Sequence, residues 1–274
     1  MLQPSEWTRR KIMSAMLRIS ARTKRQELVA KLLDVSARLR RAELNRELLQ
    51  EADALVQSGP FSGMRLSLEA SWSDGAVAPK VLGSYEAELH PALCKAIVRR
   101  PATVVNIGCA EGYYAVGLAL RLPNAKVIAF DSDERAQAVC RQMAAANAVA
   151  DRVEVTGGCT PELLGAVMVD RGRMLLVMDC EGGELELLSD DLIAGMRNCD
   201  VIVECHDFIN RGSTEALMGR FAASHQVERV EERARDPNQF PLLQNRSSLE
   251  CWLALCEFRP KLISWLACWA YGTE

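Results

Sequence analysis

Six side chains beside two apolar runs have the types and spacing for acid–base chemistry or cation binding. Asp179, Glu181 and Glu184 follow the run that starts at Met174, and Glu204, His206 and Asp207 close the run after Cys199. An imidazole titrates near neutrality, so His206 among acids suits a general base that takes a proton from a hydroxyl. Asp179 with Glu204 or Asp207 would instead offer hard oxygen ligands to Mg2+, and a bound cation would lower the pKa of a coordinated hydroxyl. The structural alternative has Glu181 or Glu184 at a helix N-terminus and His206 as a hydrogen-bonder only. The chain has three histidines in 274 residues. One of them at a strand tip beside carboxylates directs attention to this cluster.

Such residues must be held by a scaffold, and the stretch from Thr103 to Asp131 supplies its centre. TVVNI is a short apolar run bounded by glycine, which reads as a buried strand. Gly108 to Gly112 is a turn, an amphipathic helical run follows, and KVIAF is a second buried strand ending on Asp131. Glycines in such a turn let backbone N–H groups approach a ligand at a helix N-terminus. An acid at the tip of the second strand is placed to accept hydrogen bonds from two ribose hydroxyls. Asp133 is the natural N-cap of the next helix. The unit is a half-site for a nucleoside cofactor. A dinucleotide turn requires G-x-G-x-x-G, whereas Gly108-Cys109-Ala110-Glu111-Gly112 has two glycines and an acid where a pyrophosphate would lie. S-adenosylmethionine (SAM), which has no phosphate and carries a sulfonium, suits the turn better than NAD. Asn106-x-Gly108-x-Ala110-x-Gly112 resembles the acid-x-G-x-G-x-G turn of class I methyltransferases, with Asn106 in place of the acid and Ala110 in place of the middle glycine. By that resemblance Gly108, Ala110 and Gly112 lie under the methionine part and Asn106 bonds the cofactor's amino group. Thr160, in the loop Gly157-Gly158-Cys159-Thr160, either borders the adenine or caps the following helix.

MLLVMDCEGGELELL, from Met174 to Leu188, resembles the FkbM-type methyltransferases, whose fourth strand ends in D-x-E-G-x-E followed by leucines. CDVIVECHDF (199–208) is similar to that family's fifth strand, and Gly83-Ser84-Tyr85-Glu86-x-Glu88-Leu89 to its G-[ST]-Y-E-x-E-L lead-in. The resemblance implies a Rossmann-like class I methyltransferase fold, an α/β architecture with a mostly parallel seven-stranded sheet and helices on both faces. It implies SAM as cofactor and O-methylation of a small-molecule or sugar hydroxyl. Tyr85 and Glu86 would then stand on the cofactor side, the alternative being an ordinary helix start. His206, Asp179 and Glu204 are the candidate catalytic residues, and Asp179 also borders the cofactor. Two rivals stay open: an NAD(P)-dependent oxidoreductase, and a binding module that recruits a partner through a helical arm.

Composition limits the remainder. Residues 1–57 hold twelve Lys/Arg against seven Asp/Glu, net +5, leaving −8 for the rest of a chain at −3. No broad basic face for nucleic acid is expected. Residues 5–56 read as helix almost throughout, an N-terminal helical extension over 1–57 ahead of a catalytic domain over 58–274. Leu28, Leu32, Val35 and Leu39 form a short coiled-coil-type stripe that would pair two copies, act as a lid or pack on the chain's own domain. The boundary is the turn-rich Ser58-Gly59-Pro60-Phe61-Ser62-Gly63, and residues 64–82, through Trp72 and Asp74-Gly75, read as an irregular or β-rich lead-in. Beyond it a helix spans Tyr85 to Arg99. Strands are expected near 103–107, 126–131, 152–156, 174–179, 200–205, 226–231 and 249–256. Helices are expected near 113–122, 133–148, 161–169, 183–196 and 213–224, an alternation that gives a parallel sheet. Leu262 to Tyr271 is too short to span a bilayer and reads as a packed terminal segment or an interface. The ten cysteines contain no C-x-x-C pair and read as reduced thiols of a cytoplasmic protein.

Overall fold

A computed structural model describes residues 25–67, 76–168 and 172–271. Helix α1 (Arg25–Glu51) is 27 residues long, about 40 Å at the usual helical rise. Val29, Leu33, Val35 and Leu39 stand exposed on its first half, whereas Leu44 and Leu48 are fully buried. Residues 5–24 of the expected extension lie outside the described residues, as do Trp72, Asp74 and Gly75. The end of the lead-in is helical, not irregular: α2 spans Val77–Leu82 and stops at Gly83 in the left-handed region. The helix expected from Tyr85 starts later. Glu86 has φ 46, a 3-10 turn covers Ala87–Leu89, and α3 is His90–Val98 with Pro91 in its first turn.

From here the strands and helices alternate. They are β1 (Thr103–Ile107), α4 (Tyr113–Arg121), β2 (Lys126–Phe130), α5 (Glu134–Ala146), β3 (Val153–Thr156) and α6 (Pro161–Val167). Then come β4 (Met174–Met178), α7 (Glu184–Leu187), α8 (Asp190–Gly195), β5 (Cys199–Cys205), α9 (Ser213–Phe221), β6 (His225–Glu231), α10 (Ser248–Leu255) and β7 (Ser264–Ala270). The single helix expected over 183–196 is broken because Ser189 leaves helical geometry to cap α8 through Leu192 N. Residues 249–255 are helical where a strand was expected over 249–256. Ser247 and Glu250 form a capping box that nucleates α10, and the local signal outweighs its apolar run. The last strand is β7, inside the segment read as a packed terminus.

The sheet order is β3-β2-β1-β4-β5-β7-β6. Five strands are parallel, and β7 lies antiparallel between β5 and β6. Both faces are covered, so β1, β4, β5 and β7 are buried along their whole length and are mostly apolar. Val104, Val127, Leu175, Val177 and Ile202 point to the core shared with Leu48, Phe61, Tyr113 and Met143. Val105, Ile128, Leu176, Met178 and Val203 point to the opposite core, with Leu164, Ile193, Leu217 and Phe221. Register then positions the chemistry. Ile107 is level with Phe130 on one side and Met178 on the other. The next residues of the three strands, Gly108, Asp131 and Asp179, therefore emerge side by side at the carboxyl edge, where ligands bind in open α/β sheets.

Candidate active site

The turn after β1 is packed against the tip of β4. Gly108 has φ +74, and a Cβ there would lie 1.5 Å from the Asp179 carbonyl oxygen, so only glycine fits. Ala110 follows with φ 46, a left-handed conformation that costs a non-glycine residue about 1–2 kcal/mol. It is fixed by Asp131, whose Oδ2 accepts from Ala110 N at 2.8 Å while Oδ1 accepts from Asp133 N at 2.9 Å. Asp133 caps α5 through Arg135 N at 2.7 Å. Asp131 thus ties the tip of β2 to the turn, as well as standing at its mouth.

A cleft of about 710 Å³ opens over these tips, and its walls include Gly108, Ala110, Asp131, Thr160, Asp179 and Glu181, with Ile107, Phe130 and Leu187 as apolar surface. That size suits a drug-sized cofactor. Five expected cofactor residues meet here: Gly108, Ala110, Asp131, Thr160 and Asp179. Thr160 lines the cleft, and its hydroxyl caps α6 at Leu163 N, the second of the two roles foreseen for it. Gly112 lies outside the walls and starts α4 with φ 97. Asn106 is buried in β1, donates to Val177 O at 3.3 Å and leaves its Oδ1 without a partner. Tyr85 and Glu86 stand behind the turn. Glu86 is fully buried, accepts from the Tyr114 hydroxyl and pairs with Arg259. Burial first, together with neighbouring carboxylates, pushes its carboxyl up to about 7. Glu111 also faces inward, onto Lys80, which in turn lies over the Tyr85 ring. Its charge is therefore balanced and does not reach the cleft.

The cluster read from the sequence forms in part. His206 is 2% exposed, and its Nδ1 lies 2.8 Å from Glu184 Oε1, which also accepts from Gly182 N at 3.0 Å. Its Nε2 faces Asp179 Oδ1 at 3.6 Å and Glu181 Oε2 at 3.5 Å. Burial opposes the charged imidazole, but the Glu184 bond and the three surrounding carboxylates raise its pKa overall. Burial likewise opposes the Glu184 carboxylate, yet the bonds from His206 and Gly182 hold it below its ordinary range. Glu204 is paired with Arg259, which also binds Glu86 and Glu257. Burial and the nearby Asp179 and Glu86 push Glu204 well up. Asp207 is turned away: it accepts from Gly212 N, Thr214 N and the Thr214 hydroxyl, so it caps α9. Of the oxygen set expected for Mg2+, Asp207 is turned away, whereas Glu204 stays within hydrogen-bond reach of Asp179 while Arg259 holds it from the other side. Arg259 and Lys80 were missed by sequence reasoning. Each is a lone cation in an unremarkable stretch, and its partners are remote in the chain.

No family model matches the sequence, and no curated protein matches it. In three dimensions the chain is similar to the O-methyltransferase TomG from Streptomyces achromogenes, involved in tomaymycin synthesis and solved with SAM. The TM-score is 0.51 at 12% identity, over 76% of this chain and 92% of that one. The chain has the class I methyltransferase fold. Weaker likenesses are to cofactor-bound Rv0187 from MTB (TM-score 0.49, 16% identity, 75% of this chain and 88% of that one) and to an O-methyltransferase from Bacillus cereus solved with SAH (0.47, 11%, 83% and 90%). Within the class I methyltransferase fold, the Gly108 turn, Asp131 and the cleft occupy the carboxyl edge of the first two strands, and Asp179 and His206 the edge of the next two. No helix among the described residues is long and apolar enough to cross a membrane, and none of the ten cysteines is in a disulfide.

Proposed function

We propose that the protein is a SAM-dependent methyltransferase of the FkbM type that methylates a hydroxyl on a small molecule or sugar. One observation carries the reading: a single cleft joins the Gly108–Asp131 half-site to Asp179 and Glu181, with His206 directly behind. The acceptor oxygen attacks the sulfonium methyl in line, the C–S pair returns to sulfur, and SAH leaves as a thioether. The cofactor supplies the activated methyl group, so the protein has to hold the acceptor and accept its proton. Asp131 binds the ribose, the turn cradles the methionine part, and the array of Asp179, Glu181 and His206 receives the proton. Glu204, hydrogen-bonded to Asp179 and pinned by Arg259, is a positioning residue. FkbM membership is supported by the D-x-E-G-x-E run, whose last acid, Glu184, orients His206. Dinucleotide oxidoreductases of the Rossmann type carry a 3-2-1-4-5-6 sheet, and the antiparallel β7 inserted here departs from it.

The test is calorimetric titration of SAM, SAH and NAD+ into the protein and into Asp131→Ala. SAM and SAH should bind, and the variant should weaken both by roughly 10- to 100-fold, the equivalent of one or two charge-assisted hydrogen bonds. NAD+ binding without SAM binding would overturn the reading.

A further inference from the structure

We propose that Asp179, Glu181 and His206 form a binding site for one divalent first-row transition-metal ion, with Glu184 orienting the imidazole. The donor atoms, Asp179 Oδ1, Glu181 Oε2 and one imidazole nitrogen, all lie within 4.8 Å of one another. Because the carboxylate of Glu184 can only accept, the imidazole proton belongs on Nδ1, and the Nε2 lone pair is left facing two anionic oxygens at 3.5 and 3.6 Å. Lone pair and carboxylates repel unless a proton or a metal ion sits among them, and a metal ion can take the place of the proton. Two further observations point the same way. The Asp179 Oδ1 atom is buried with no hydrogen-bond partner. Glu184 and His206 form the carboxylate–histidine pair that in metal centres fixes the tautomer and raises ligand basicity.

The spacing fits. Three donors at about 2.1 Å from a common ion are about 3.0 Å apart when octahedral and about 3.4 Å apart when tetrahedral. His206 Nε2 is within a few tenths of an ångström of that separation from either oxygen. Glu181, with its side chain 76% exposed, can close the remainder. One nitrogen and two carboxylate oxygens favour ions such as Mn2+ or Co2+ over Mg2+, which takes oxygen and water. Coordination positions left open toward the cleft would take the acceptor hydroxyl and lower its pKa. That catalytic consequence rests on the methyltransferase reading; the binding itself does not. With the ion bound, Nε2 would be a ligand, the ion would lower the hydroxyl's pKa in its place, and the released proton would pass to water in the open cleft.

The experiment is a Mn2+ titration of the metal-stripped full chain, without SAM or acceptor, followed by electron paramagnetic resonance. One ion should bind per chain, at least tenfold more weakly in Asp179→Asn and in His206→Gln, and roughly 10- to 100-fold more weakly in Glu184→Gln. Glu186→Gln, which removes an exposed acid of the same cleft, should stay within twofold. Pulsed spectra of the wild type should show coupling to a directly bound imidazole nitrogen, a readout independent of any variant's folding. Absence of stoichiometric binding, binding without nitrogen coupling, or equal weakening by Glu186→Gln would overturn the proposal. Failure of SAM to bind while Mn2+ binds would remove the methyltransferase reading and leave this site standing; the reverse result would do the opposite.

Discussion

Replacing Gly108 with alanine is the sharpest test of how the turn and the β4 tip are built. The new Cβ would sit 1.5 Å from Asp179 O, and ordinary contact begins near 3.4 Å, so the two backbones must separate by about 2 Å. That separation breaks the bond from Asp179 N to Ile107 O, now 2.9 Å. The left-handed conformation costs alanine about 1–2 kcal/mol, the lost hydrogen bond about 1 and the forced shift about 1–3. The sum is roughly 3–6 kcal/mol. For 274 residues the unfolding entropy is about 0.6 kcal/mol per kelvin, so the melting temperature should fall by about 5–10 °C. Gly63 provides the control, because it has φ +85 but nothing within 4 Å of its would-be Cβ. Gly63→Ala should cost only the conformational part, about 2–3 °C. Differential scanning calorimetry of the two variants decides the matter. Equal shifts would show that the approach of turn to strand is not tight, and the account of Gly108 would fall.

Two other outcomes follow from the buried charges. Lys80→Met leaves Glu111, 1% exposed, without its cation and should cost about 3–5 kcal/mol in urea unfolding, most of it recovered in Lys80→Met/Glu111→Leu; an unaffected single variant would contradict the pairing. Glu86 has its folded-state pKa raised from 4.5 to about 7, so its contribution is fully present below about 4.5 and is lost as pH rises through 7. Stability should therefore fall between pH 5 and 8, and Glu86→Gln should flatten that decline by on the order of 2 kcal/mol; denaturation curves of identical pH dependence would refute it.

The parts legible in sequence were those whose causes are local. A strand covered on both faces is mostly apolar, so β1, β2, β4 and β5 declared themselves, and their tips followed. Asp133 and Thr160 are caps because capping needs only the next three residues. What stayed hidden depends on partners far along the chain. Glu111 looked like a charge in the cleft because Lys80, its partner, arrives from α2. Glu204 and Asp207 look equivalent beside His206, yet Arg259 claims one and Thr214 the other. The two apolar segments after β6 could not be ranked by composition. A capping box made a helix of the first, and a slot between two strands made β7 of the second.

That slot has a consequence for the order in which the molecule is made. β5 and β6 leave the ribosome well before β7, and neither pairs with the other in the finished sheet. Until Ser264–Ala270 arrives, each presents a bare row of N–H and C=O groups, and open edges of this kind recruit strands from other molecules. The parallel half, β1 to β5 with its helices, can assemble as it emerges, since domains fold from the N-terminal side during synthesis. Closure then waits for one late insertion. A stalled or prematurely ended chain would be left as a sticky intermediate with an intact Gly108 turn, a target for chaperones rather than a finished fold.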